Sequence, residues 1–119
     1  MTRKVALAAL LVLAALGSSA ATARAPKTIG IAEREYRIST YVWKVKRGPV
    51  KLNVTNYGQD THNLVVKGPK HFLAKGPDVK PGERASFRAN LRRPGTYLLL
   101  CTRANHLKLG MRAKLTVKR

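Results

Sequence analysis

From residue 25 onward the chain alternates between apolar and polar positions. In PVKLNVTN, residues 49–56, Val50, Leu52 and Val54 fall on one side and Lys51, Asn53 and Thr55 on the other. That period of two is the pattern of a strand with one buried face. RASFRANL, 84–91, repeats it with Ala85, Phe87 and Ala89 on one face, and MRAKLTVKR, 111–119, alternates again. TYLLLCT, 96–102, is almost continuously apolar, and HNLVVKG, 62–68, reads as a further strand. TIGIAE, 28–33, alternates loosely, while EYRISTYVWKV, 35–45, is rich in aromatic and β-branched residues. NYG and RRPG are turn signals. GPKHFLAKGPDVKPGE, 68–83, carries three Pro-containing turn signals and no strand pattern, so it is expected to be the longest loop, with room for a short helical turn. Seven short strands without a helix of any length predict an all-β fold, an antiparallel Greek-key β-sandwich. Trp43 and the tyrosines are expected in its core.

The first residues follow a different pattern. MTRK is basic, VALAALLVLAALG is an uninterrupted apolar run of thirteen residues, and SSAATARA supplies small residues. These are the three parts of a secretory signal peptide. Cleavage is expected after Ala23, giving a signal peptide over 1–23 and one domain over 24–119. The apolar run falls short of the roughly 20 residues of a membrane span. A retained N-terminal anchor is the alternative. No cysteine lies near the cleavage site, so a lipid-modified cysteine is not expected there.

Charge narrows the partners. The full chain has 24 Lys+Arg against 5 Asp+Glu, a formal charge of +19, and losing Arg3 and Lys4 with the leader lowers this to +17. Such a surface attracts polyanions or acidic proteins. Export argues against a nucleic-acid partner and leaves the periplasm or the cell exterior as the expected location. Contact with an anionic envelope and a monomeric state are also expected.

The candidate chemistry lies in CTRANHLKLGM, residues 101–111. It holds the sole cysteine, a histidine and one of two methionines, spaced Cys101-x4-His106-x4-Met111. An exported domain with one cysteine has no internal disulfide, and an exposed thiol would oxidise. Thiolate, imidazole and thioether together suit copper in a trigonal site of two histidines and a cysteine with a weak axial methionine. The second histidine is expected from a neighbouring strand, and His62 opens one after a turn. His71, in the expected long loop, matches no ligand position.

VKLNVTNYGQDTHNLVV, KPGERASF and PGTYLLLCTRANHLKLGMRAKLTV together resemble the cupredoxins, small blue copper proteins of the plastocyanin, azurin and pseudoazurin type. The resemblance implies that His62, Cys101, His106 and Met111 are the ligands of one type 1 copper. It implies that Asn63 ties the His62 strand to Thr102. It also implies a single-electron carrier, not an enzyme, whose electrons pass through the His106 edge within an apolar patch that Leu107, Leu109 and Gly110 could form. The expected partner is then an acidic redox protein, steered by Arg103, Lys108 and Arg112. Relatives often place Pro and Gly between the cysteine and the second histidine. Here Ala104 and Asn105 stand there, and Asn is the better suited to a left-handed backbone. The alternatives are a copper carrier or tolerance protein using the same ligands, a copper enzyme, and a metal-free cationic adhesion domain. The enzyme would need further paired histidines, which a chain with three lacks.

Overall fold

The alternating segments form strands because each can bury one face against the other sheet. The computed structural model describes residues 25–119, with Val12 and Gly17 upstream. The expected signal peptide and its cleavage site lie outside the described residues. The strands are β1 (Lys27–Arg34), β2 (Arg37–Thr40), β3 (Lys44–Lys46), β4 (Gly48–Asn56), β5 (His62–Gly68), β6 (Phe72–Val79), β7 (Arg84–Leu91), β8 (Gly95–Leu100) and β9 (Arg112–Lys118). One sheet has the order β2-β1-β4-β7 and the other β3-β9-β8-β5-β6. The two face each other across a core built on Ile29, Leu52, Leu64, Leu99 and Leu115. The expected sandwich is present, and within it β1–β4 and β3–β9 are parallel pairs.

Among the described residues nine strands replace the seven read from the pattern, for two local reasons. Segment 35–45 is not one strand. Thr40 Oγ1 donates to the Val42 carbonyl and accepts from the Val42 amide, a local turn that competes with the ladder. The chain leaves β2 there and enters the opposite sheet as β3. Tyr41 and Trp43 sit on this crossing, 74% and 62% exposed, so they are not core residues as expected. Tyr57 is also exposed, and only Tyr97 is fully buried.

The second correction is β6, which occupies most of the expected long loop. Phe72, Ala74 and Gly76 are half-buried while Leu73, Lys75 and Pro77 are exposed. The strand lies at the sheet edge, where proline costs no ladder bond. Gly76 has a packing reason: a Cβ there would fall 2.4 Å from Phe87 Cε1. Only the 3₁₀ turn Pro69–His71 remains of the expected helical turn.

The register brings the candidate residues to one pole. β1 and β4 end together, with Glu33 opposite Asn56, and β7 starts beside them, with Arg84 opposite Thr55. In the other sheet His62 opens β5 opposite Val79, and Leu100 closes β8 opposite Arg112. Asn56 Nδ2 donates to the Val79 carbonyl at 2.8 Å and joins the two sheets at this pole.

Candidate metal centre

Two short connections build the site. The first joins β4 to β5. Buried Asn56 accepts from the Gly58 amide and donates to the Asp60 carbonyl, which folds residues 57–61 into a tight turn and delivers His62 into the interior. The second joins β8 to β9. His106 N donates to the Arg103 carbonyl, Leu109 N to the His106 carbonyl and Met111 N to the His106 carbonyl. These bonds coil the loop on itself. Cys101 N donates to the Met111 carbonyl at 3.2 Å and closes its mouth. Asn63 and Thr102 tie the two connections together: Asn63 Nδ2 donates to Thr102 Oγ1 at 2.9 Å, and Thr102 N donates to Asn63 Oδ1 at 2.8 Å. That link is the one implied by the resemblance.

His62, Cys101 and His106 converge, with one potential ligand atom of each within 4.8 Å of the others. His62 Nδ1 and His106 Nδ1 are 3.2 Å apart, and Cys101 Sγ lies 3.9 Å and 3.4 Å from them. Met111 is fully buried immediately before β9 and belongs to the same core cluster as Cys101. His71 stands exposed at the opposite end of the sandwich, on the 3₁₀ turn.

The far sides of both rings are occupied by carboxylates that the sequence did not single out. His62 Nε2 lies 3.1 Å from Glu35 Oε1. A carboxylate only accepts, so Nε2 carries the hydrogen and Nδ1 keeps its lone pair. Glu35 is itself held by the amides of Gln59 and Asp60, each at 2.7 Å. These bonds, that of Asp60 first, hold its carboxyl below the usual range. His106 Nε2 lies 3.4 Å from Asp60 Oδ2. Tyr36, next to Glu35, packs its ring against His106 with centroids 5.0 Å apart. A signal for Glu35 existed: it is one of only five acids in a chain with 24 cationic side chains.

A third carboxylate, Glu33, is fully buried, and neither oxygen has a partner among the described residues. Burial pushes its pKa up to about 8. Its inward direction was legible, since Glu33 is in phase with Ile29 and Ile31.

The donor set fits a soft or borderline cation. Two imidazole lone pairs and a thiol face one another, and the thiol is the sole donor among the three ligand atoms. Ligands bound at about 2.0–2.3 Å in a trigonal plane stand roughly 3.5–3.8 Å apart, close to the three separations seen here. Burial raises the Cys101 thiol and lowers His62, the latter opposed by Glu35. A bound cation would displace the thiol proton and reverse that balance.

Two expectations about the loop change. The left-handed backbone falls on Ala104, with φ of 44°, and not on Asn105. Arg103 is not free for steering, because its Nη1 lies 3.0 Å from Asp78 Oδ2. Leu107 and Leu109 are exposed beside His106, which is itself only 5% exposed.

The family model of the cupredoxin-like domain matches residues 6–117, and the chain belongs to that family. Similar solved structures include a dithionite-reduced auracyanin from Roseiflexus castenholzii. It is 23% identical, covers 81% of this chain and 100% of its own, and has a TM-score of 0.69. Auracyanin A, described as a "blue" copper protein from Chloroflexus aurantiacus, is 23% identical over 79% of this chain and 100% of its own, with a TM-score of 0.68. A reduced amicyanin in which tyrosine replaces a tryptophan is 26% identical over 80% of this chain and 86% of its own, with a TM-score of 0.57. No curated protein matches the sequence.

Proposed function

We propose that this protein is an exported blue copper protein that holds one copper ion through His62, Cys101, His106 and Met111 and carries single electrons between redox partners. One observation carries the reading: two imidazole Nδ1 atoms 3.2 Å apart share a buried space with a thiol, and each ring is backed by a carboxylate on its other side. Copper, when bound, supplies a reversible one-electron couple at this point. The residues do the rest. Glu35 fixes the tautomer and tilt of His62, as carboxylates behind ligating histidines do. Asn63 and Thr102 hold the Cys101 end of β8 against β5. Burial of His62, Cys101 and Met111 excludes water and leaves no open position for a substrate, so the reading is not that of an enzyme.

The exposed end of the site is the His106 loop, ringed by Tyr36, Leu107 and Leu109. This is where an acidic redox partner would exchange electrons. Burial of the cluster argues against a carrier that hands copper to another protein, because transfer needs ligands open to the recipient.

Redox cycling tests this against the carrier reading. Copper-loaded protein should bleach with one equivalent of a one-electron reductant and regain its colour on oxidation, with the metal retained through repeated cycles. Loss of copper on reduction would favour the carrier.

A further inference from the structure

We infer that the pole opposite the copper cluster is a docking surface for anionic lipid headgroups. The inference starts from how few acids the chain has and where the register puts them. All five lie at the cluster pole. Glu33 pairs with Asn56 at the end of β4, and Glu35 reaches His62. Asp60 lies by His106, Asp78 opposite Asn63, and Glu83 accepts from the Asn56 amide through its backbone carbonyl.

The other pole therefore carries cations unopposed by any Asp or Glu. A cavity of about 360 Å³ opens there between the starts of β1 and β4, β3 and the end of β9. Five cationic side chains line it: Lys27, Lys44, Lys46, Arg47 and Lys118. All five residues are exposed. A second cavity on the same pole, about 350 Å³, adds Lys70, Arg92 and Arg93. The cations are fixed on strand ends and tight turns, with Arg47 N donating to the Lys118 carbonyl at 2.7 Å.

Eight cationic side chains gathered on one pole form the kind of polybasic cluster that binds anionic bilayers. The place of this pole in the fold selects a membrane over a soluble redox partner, because it is remote from His106. β1 spans eight residues between the two ends, about 23 Å of strand. A redox protein docked here would sit far from the electron exit, whereas a membrane bound here leaves that exit facing outward. The inference does not depend on the copper reading, because it rests on cations that touch none of the proposed ligands.

Vesicle binding tests it. The copper-loaded exported protein should co-sediment with phosphatidylglycerol–phosphatidylcholine vesicles and not with phosphatidylcholine alone, and binding should weaken as salt rises. Lys44→Glu, Lys46→Glu and Lys118→Glu together should weaken it at least tenfold, and the three Lys→Gln changes should give a smaller loss. The control Lys51→Glu, Arg88→Glu and Lys114→Glu alters the net charge equally in mid-strand and should cost less than threefold. Visible spectra should be unchanged throughout. Equal losses in pole and control variants would show that net charge alone is read, and overturn the inference. So would failure of the unaltered protein to bind anionic vesicles, or tighter binding to soluble polyphosphate or an acidic protein than to the vesicles.

Discussion

Ala104 and Glu33 are two residues near the site whose environments conflict with their chemistry. Ala104 adopts φ of 44° in the ligand loop, a conformation that costs an L-residue with a Cβ roughly 1–2 kcal/mol. Ala104→Gly should therefore raise stability by about 1 kcal/mol, measured as a shift of the urea midpoint. No gain, or a loss, would show that the loop gains more from the methyl group or from the stiffer unfolded chain. Asn105 looked the better candidate from residue type alone. Which of two neighbours takes the left-handed position depends on where His106 must point, and the loop sequence does not carry that.

Glu33 makes a pH prediction. Its carboxyl has a pKa of about 8 in the folded chain against 4.5 as the ordinary value. Between those limits the folded chain holds a proton that the unfolded chain releases, so stability falls as pH rises through that window. The full loss is on the order of 3–5 kcal/mol. Thermal unfolding of the copper-free protein should show a falling Tm from about pH 5 to about pH 8. Glu33→Gln should flatten that slope and be the more stable form at the upper end of the window. A slope unchanged by the substitution would show that Glu33 is not the group responsible.

At the scale of elements, the reading worked where one face of a segment is buried and failed where an edge or a crossing replaced that rule. β4, β5 and β7 were legible almost to the residue, because Val50, Leu52 and Val54, or Ala85, Phe87 and Ala89, alternate without interruption. β6 was not, since an edge strand tolerates Pro77 and Gly76 that would have ended a central one. The division of 35–45 into β2 and β3 was hidden by its β-forming residues, and a single Thr40 side chain makes the turn. The link between β5 and the ligand loop was legible only through the family resemblance. It now stands on two hydrogen bonds between Asn63 and Thr102. Asn63→Ala should cost about 1–2 kcal/mol of stability. It should also loosen the Cys101 end of β8, read as faster amide exchange at Thr102. Unaltered exchange there would show that the loop is held by its own turns.

Over the whole molecule, the convergence of His62, Cys101 and His106 was legible because soft donors at that spacing have few other uses. The carboxylates behind the histidines were not. Glu35 is remote from His62 in sequence and meets it only through the parallel pairing of β1 with β4. Net charge was legible, but not its layout. The register gathers every acid at the copper pole, so the overall +19 overstates the local charge there and understates the contrast between the poles. The central claim is that three side chains from two connections converge on one copper ion. Titration of the copper-free protein with Cu(II), followed in the visible, tests it most directly. The account predicts intense blue absorption that saturates at one equivalent and is abolished by Cys101→Ser. A protein that stays colourless, or a colour that survives the loss of the thiol, would contradict it.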